Sequence, residues 1–283
     1  AWREEICLWV DLGQEKEASQ RLEQALNLMP EAAELHWLQS RLAWKNLDLS
    51  VSNTAYQQAV RLAPERLFWS FQAGLQSAQA HFLSSASEQA EYLKQLKKHL
   101  LLVSQNPFAF NRILPELRYL PEMLWHLNYL DHPSLKEIKS LLAACILPPK
   151  NVSSPKIGTS SKPLKLGVLV TPGHEGIFNK LCAPLLNQLD PTQIQLTLIG
   201  NEQALEPINN AIYCSLPGAL LPAAQSIQAQ KLELLYYWEV GSDIYNFYLP
   251  WFRLAPVQFT GWGTPQTTGL PDIDFYLSDR HTE

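Results

Sequence analysis

A repeat with a period of 34 residues constrains the fold of this chain more than any other feature of its sequence. The segment RLEQALNLMPE at 21–31 aligns without gaps with AYQQAVRLAPE at 55–65. Alanine occupies the same position in both segments, at Ala25 and Ala59, and we expect two helices to approach closely there. The repeat predicts stacked helical units, because a single unit of this length cannot bury its own apolar face.

A proline closes each repeated segment, at Pro30 and at Pro64. Because proline has no backbone N–H with which to continue a helix, each of the two is expected to end its unit. The period and the closing proline resemble the tetratricopeptide repeat, whose unit is a pair of helices. A third, looser unit carries Gly74 at the family's glycine position and a second helix predicted over 88–104. We therefore predict a tetratricopeptide-like α-solenoid over residues 1–147.

A solenoid of this kind presents a concave groove, and such grooves bind peptides or proteins. A protein or peptide acceptor is therefore the partner expected for the helical half, and the alternative is that the helices only extend and stabilise the second half. We interpret most tryptophans in this half as packing between helices rather than as a cage for a ligand. Six of the nine tryptophans lie here: Trp2, Trp9, Trp37, Trp44, Trp69 and Trp125.

A segment rich in proline, serine and lysine, at 148–163, separates the two halves, and this composition is typical of a linker. Beyond it, short runs rich in leucine, valine and isoleucine alternate with helical patterns, beginning with LKLGVLVT at 164–171. Strands that alternate with helices at this spacing predict a parallel sheet covered by helices. We predict a Rossmann-like α/β lobe over residues 164–283.

Composition excludes several classes of function. The net charge of −5 leaves no basic field for nucleic acid, and no apolar run reaches the ~20 residues that a membrane span requires. The four cysteines lie far apart, with no pair at the spacing of a zinc site or a small disulfide framework. We expect a cytoplasmic protein with no metal, no nucleic-acid partner and no membrane association.

The most informative run is RLAPVQFTGWGTPQTTGLPDIDFYLSD, at 253–279. It resembles the first catalytic lobe of the O-GlcNAc transferase and SPINDLY glycosyltransferases, in a divergent bacterial branch. That family's pattern is Arg-x-Ala-Pro-(Ile/Val)-Gln, a short strand, Gly-x-Pro-x-Thr-Thr-Gly, then Asp-Tyr and a terminal Asp, and Phe275 stands here where the family often has Tyr. Repeats followed by this lobe are also the family's domain order. The matching residues are Arg253, Ala255, Pro256, Val257, Gln258, Gly263, Pro265, Thr267, Thr268, Gly269, Asp274 and Asp279.

The resemblance implies the first half of a GT-B fold and transfer of a sugar, GlcNAc, from a nucleotide donor to Ser or Thr of proteins. It implies that the donor, UDP-GlcNAc, is bound as a substrate without a further cofactor. The donor-binding residues that it implies are Gly263, Thr264, Pro265, Thr267 and Thr268. Thr264 departs from the Tyr or His of many relatives, and a rigid turn that only shapes the lobe is the alternative for this loop.

The resemblance also implies a histidine-bearing loop near the first strand, where this chain has GHEG at 173–176. His174 and Glu175 are the predicted catalytic residues, with His174 positioning the acceptor or the donor phosphate and Glu175 orienting it. The alternative is an exposed pair at a helix entry, with Glu175 favourable at the helix N-terminus. Glu239 and Asp243 are further candidates beside a later strand, and a helix-capping role is favoured for Asp243.

Both ends of the sequence look cut, since Ala1 falls in a predicted helix and Glu283 just after a predicted strand. We expect a fragment that lacks the family's second lobe and is inactive by itself. The alternative function is a non-catalytic tetratricopeptide scaffold whose transferase-like lobe is degenerate. A generic nucleotide-binding α/β enzyme is disfavoured, because no glycine-rich phosphate loop follows the first strand.

Overall fold

Two compact units make up the chain, Ala1–Val103 and Ser104–Glu283. Residues 104–147, which the sequence analysis grouped with the helical repeats, fall in the second unit. The predicted domain limits at 147 and 163 stay a prediction. The computed structural model describes residues 2–77, 85–110, 114, 127, 130, 132–149, 163–261, 263–264 and 267–278, so most of the predicted linker lies outside the described residues.

The first unit is helical, and successive helices pack on one another. Its repeat behaves as predicted: α2 and α4, the second helices of the first two pairs, each end two residues before Pro30 and Pro64. Ala25 and Ala59 are fully buried, which lets the helix backbones approach closely. The helices are α1 (Trp2–Asp11), α2 (Glu15–Leu28), α3 (Ala33–Lys45), α4 (Leu49–Leu62), α5 (Leu67–Ser77) and α6 (Ala86–Ser104).

Packing between the helices accounts for two of the tryptophans. Trp37 and Trp69 are both 1% exposed and stack with ring centroids 5.7 Å apart, which confirms the packing role for this pair. Gly74 is required for the same reason of close packing, since a Cβ there would lie 2.1 Å from the His99 ring. Trp125 lies outside the described residues.

The second unit contains a six-stranded sheet in the order β5-β4-β3-β6-β7-β8, and every neighbouring pair is parallel. The predicted fold class, helices followed by a parallel α/β lobe, is therefore confirmed. A separate two-stranded pair, β1 with β2, is also parallel. The strands are β1 (Phe108–Ala109), β2 (Ile146–Leu147), β3 (Leu164–Leu169), β4 (Ile194–Gly200), β5 (Ile212–Ser215), β6 (Leu234–Tyr237), β7 (Val257–Gly261) and β8 (Phe275–Leu277).

The core lies on the central strands, where apolar side chains from β3, β4 and β6 pack against the helix that follows β3. Two helices, not one, follow β3 over 175–186, since Pro184 cannot donate the backbone bond that would continue the first. The helices of this unit are α7 (Leu135–Ala144), α8 (Glu175–Leu181), α9 (Ala183–Leu186), α10 (Leu220–Ala229) and α11 (Ile244–Tyr248), with 3₁₀ turns at Glu202–Ala204 and Leu249–Phe252.

The α-helix α11 ends at Tyr248, and the chain continues as a 3₁₀ turn through Pro250 to Phe252. Pro250 takes the second position of that turn, where its missing N–H is tolerated. Among the described helices, none has both the length and the apolar character needed to cross a bilayer.

Candidate functional site

The strand order of the sheet locates a crevice at its carboxyl edge. From β3 the chain moves outward through β4 to β5, and then returns to the other side of β3 with β6. The connections after β3 and β6 therefore diverge, which leaves a crevice between the carboxyl ends of these two strands. In open α/β sheets, ligands bind at such a switch point.

Two side chains meet across this switch point. His174 follows β3 and Glu239 follows β6, and His174 Nδ1 lies 2.6 Å from Glu239 Oε2. An ionised carboxylate only accepts hydrogen bonds, so Nδ1 of His174 carries the hydrogen of this bond. The other ring nitrogen, Nε2, is left to accept a hydrogen bond when the ring is neutral or to donate one when the ring is charged. The imidazole is 42% exposed while the Glu239 side chain is 10% exposed. The pair therefore presents an oriented, accessible imidazole that is held by a nearly buried carboxylate.

Hydrogen bonds between the two loops hold this pair in place. The Thr171 hydroxyl after β3 lies 3.2 Å from the Ser242 hydroxyl after β6, and Asn246 Nδ2 donates to Thr171 Oγ1 at 3.3 Å. Ser242 Oγ donates in turn to the carbonyl of Glu239 at 2.8 Å. All of these polar side chains are buried. The roles of Thr171, Ser242 and Asn246 could not be predicted from the sequence, because no local pattern joins residues more than 70 positions apart.

Asp243 caps a helix, as the sequence analysis favoured. Its carboxylate accepts from the backbone N–H groups of Tyr245 and Asn246 at the start of α11. Burial raises the pKa of Asp243, and the hydrogen bond from Asn246 opposes that rise. This cap fixes the end of the loop that carries Glu239.

The predicted catalytic pair, His174 and Glu175, is arranged differently from the prediction. Glu175 is a buried residue at the start of α8, and the carboxylate on His174 Nδ1 is that of Glu239. His174 itself precedes α8 at its N-cap position. The catalytic role of His174 and Glu175 stays a prediction, and Glu239 joins them as the group that orients the imidazole.

Gly263 brings the turn after β7, within the 253–279 run, to the same place. A Cβ at Gly263 would lie 2.2 Å from the carbonyl oxygen of Trp238 and 3.1 Å from Cγ of Glu239. The backbone after β7 thus presses directly on the backbone that carries Glu239, an approach that glycine alone allows. Gly263 therefore belongs to the switch-point site through its backbone.

Thr264 lies inside the fold. Its side chain is buried, its hydroxyl faces the Val240 carbonyl at 3.4 Å, and its own carbonyl accepts from Tyr276 Oη at 3.1 Å. A contact between its hydroxyl and the sugar donor stays a prediction. Pro265 lies outside the described residues.

Thr267 and Thr268 line a separate cavity of about 800 Å³ between α7, β2 and the segment before β8. Thr267 is exposed, and Thr268 Oγ1 accepts from the backbone N–H of Leu270 at 3.1 Å. Neither His174 nor Gly263 lines this cavity. The structure therefore brings His174, Glu175, Gly263 and Thr264 to the switch point, and it places the two threonines beside a neighbouring groove. The oriented imidazole of His174 lies at the switch point.

Several residues of the 253–279 run build the scaffold of this edge. Gln258 is fully buried; its Oε1 accepts from Tyr237 Oη and the Leu254 N–H, and its Nε2 donates to two backbone carbonyls. Asp274 accepts from the Gln258 backbone N–H at 2.8 Å and from Arg253 Nη2 at 2.9 Å. These side chains tie β7 to the segment that enters β8. Their side chains form hydrogen bonds within the fold, so a structural role accounts for these residue types in the 253–279 run without a bound ligand.

Metal binding finds no support in the part of the chain that the structure describes, where no three His, Cys, Asp or Glu side chains come together as a ligand set. The expected absence of a metal stays a prediction.

Comparisons with known proteins agree with this geometry at the level of fold. No protein-family model matches the sequence, and no curated protein matches it either. Among solved structures, a mutant O-GlcNAc transferase from Thermobaculum terrenum is similar over 99% of this chain, with a TM-score of 0.60 and 15% sequence identity. The match covers 53% of that transferase, so the chain spans about half of its length. At this identity the likeness establishes the fold.

Proposed function

We propose that the protein is a glycosyltransferase that moves GlcNAc from UDP-GlcNAc to Ser or Thr hydroxyls of proteins. The observation that carries the proposal is the meeting of three segments at the switch point: the His174 loop, the Glu239 loop and the Gly263 turn. That turn belongs to the run that resembles the transferase family, and the fold of the chain is similar to that of an O-GlcNAc transferase.

In this proposal His174 contacts the reacting groups through Nε2. The Glu239 carboxylate holds the ring by Nδ1, so that the exposed nitrogen faces either the acceptor hydroxyl or a donor phosphate. A neutral ring would accept the hydroxyl proton, and a charged ring would stabilise the departing diphosphate. Glu175, at the start of α8, stays a second candidate carboxylate of the same loop.

UDP-GlcNAc is the proposed donor, bound as a substrate with no further cofactor. Gly263, Thr264, Pro265, Thr267 and Thr268 are the proposed donor-binding residues. Among them, Gly263 offers backbone close to Glu239, and Thr267 offers an exposed side chain. The tetratricopeptide-like helices would receive the protein acceptor. Because the chain spans about half of the transferase that it resembles, we propose that transfer requires the full-length protein.

The test is transfer of GlcNAc from UDP-GlcNAc to candidate acceptor proteins by the full-length protein, read by mass spectrometry of modified Ser and Thr. The His174→Ala variant should lose transfer, since His174 is partly exposed and its truncation removes the imidazole without opening the core. Glu202→Gln, an exposed carboxylate on a 3₁₀ turn of the same unit, is the control and should transfer like the wild type. Unimpaired transfer by His174→Ala would contradict the assigned site.

One observation favours a second function, a non-catalytic scaffold. Thr264 is buried and its hydroxyl faces the Val240 carbonyl, at the position where many relatives carry the larger Tyr or His. A scaffold would bind acceptor proteins through its helices without transferring sugar. Binding of acceptors combined with the absence of both transfer and UDP-GlcNAc binding would favour this function over the first.

A further inference from the structure

A buried lysine on α7 contacts the segment that carries Thr267 and Thr268. Lys139 is 8% exposed, and its Nζ donates to the carbonyl oxygen of Thr267 at 3.0 Å. The two residues are 128 positions apart in the sequence. Lysine is seldom buried to this degree without a specific partner, and here one partner is the backbone of the predicted donor loop.

The same segment also touches the backbone of α7. Gly269 has a φ of +70°, and a Cβ built there would lie 2.5 Å from the carbonyl carbon of Lys139 and 2.7 Å from the N of Ser140. The loop backbone therefore lies directly against the helix backbone at Gly269, two residues beyond the carbonyl that Lys139 holds. Two independent contacts fix the loop to one turn of α7.

These contacts set the direction of the side chains between them. A peptide plane whose carbonyl is held by a charged donor cannot rotate without losing that bond. With the Thr267 carbonyl held toward α7, the Thr267 side chain is exposed, and both threonines line the cavity of about 800 Å³. Burial removes water from the ammonium group and lowers the pKa of Lys139 to about 8.

We propose that Lys139 is a positioning residue, which holds the Thr267–Gly269 loop in the conformation that binds the sugar nucleotide. The substrate part of this proposal rests on the proposed function, whereas the bracing of the loop by Lys139 does not. Lys139 itself touches the loop and not the reacting atoms. The sequence gives no signal for this role, since Lys139 lies outside the run that resembles the transferases.

The test compares Lys139→Met, which removes the donor but keeps a long apolar side chain, with Lys139→Arg, which keeps a charged donor. Lys180→Met is the control, because Lys180 is an exposed lysine near the end of α8 that does not line the cavity. Backbone hydrogen–deuterium exchange over 267–273 and the KM and kcat for UDP-GlcNAc are measured on the full-length protein. A further variant, Gly269→Ala, pushes the loop away from α7 at its other contact, and urea unfolding of each variant shows whether it is folded.

Lys139→Met and Gly269→Ala should speed exchange over 267–273 and raise the KM for UDP-GlcNAc about tenfold, in line with loss of a hydrogen bond from a charged group. The kcat should stay within about twofold, since positioning acts on binding. Lys139→Arg should restore both properties, and Lys180→Met should match the wild type.

Unchanged exchange in Lys139→Met would overturn the bracing, and faster exchange with an unchanged KM would overturn the role in donor binding. A wild-type protein that transfers no sugar would instead contradict the proposed function, and the exchange result alone would then decide the bracing.

Discussion

At the scale of single residues, the side chains of the 253–279 run form hydrogen bonds that stabilise the fold. Gln258 uses both atoms of its amide for hydrogen bonds inside the sheet edge, and Arg253 donates to the carbonyls of Pro256 and Asp272 as well as to Asp274. The backbone at Arg253 has a φ of 43°, in the left-handed region. A resemblance carried by such residues is evidence for a shared scaffold more than for shared catalysis.

Replacing Gln258 with leucine should therefore lower the free energy of unfolding by about 3 kcal/mol or more. Leucine fills similar space but leaves the Leu254 N–H and the buried Tyr237 hydroxyl without their acceptor, and each orphaned group costs roughly 1–3 kcal/mol. Gln195→Leu, at a half-buried site on β4, is the control and should change stability by far less. Urea unfolding of both variants measures the difference; a loss no larger than the control's would contradict the scaffold role.

The buried Lys139 should give the protein a distinctive dependence of stability on pH. Burial lowers its pKa to about 8 from an ordinary value of 10.5, so between these values the unfolded chain holds a proton that the folded chain has lost. The unfolding free energy contributed by this group therefore rises with pH in that window, by up to about 1.4 kcal/mol per pH unit. Below pH 8 the full penalty of a buried charge is present.

Lys139→Met removes this titration. The stability of the wild type relative to Lys139→Met should thus increase from pH 8 to pH 10.5, as measured by urea unfolding at several pH values. A constant difference across the window would show that the ammonium group is not desolvated in the folded protein.

At the scale of elements, three loops at the carboxyl ends of β3, β6 and β7 make the site, and one glycine sets their spacing. Gly263→Ala should destabilise the protein by about 1–3 kcal/mol, because the added methyl group overlaps the Trp238 carbonyl. Transfer should fall with it, since the Glu239 loop must shift. Gly218→Ala is the control: a Cβ at this exposed glycine meets nothing within 4 Å. Equal unfolding midpoints for the two variants would contradict the close approach.

Elements were the level at which the sequence was most informative. LKLGVLVT at 164–171 predicts a buried strand, and the strand Leu164–Leu169 is found there, because consecutive apolar residues suit a strand covered on both faces. The 34-residue repeat likewise predicts where α2 and α4 end. What the sequence could not predict are contacts between distant segments. Glu239 reaches His174 from 65 positions away, and Lys139 reaches Thr267 from 128 positions away.

At the scale of the whole molecule, a repeat of helix pairs precedes a parallel α/β unit with a switch point at its centre. The fold is similar to about half of an O-GlcNAc transferase, and the proposed reaction accordingly belongs to the full-length protein. In the proposed mechanism His174 and Glu239 act as one unit at that switch point. Side chains that act as a unit lose their effect together, so removing the second after the first has little further consequence.

A double-mutant cycle tests this claim most directly. The kcat/KM for GlcNAc transfer is measured for the full-length wild type, His174→Ala, Glu239→Gln and the double variant. If the two side chains act together, Glu239→Gln slows transfer in the wild-type background and has almost no effect once His174 is alanine. Equal, independent losses from the two substitutions in both backgrounds would contradict it.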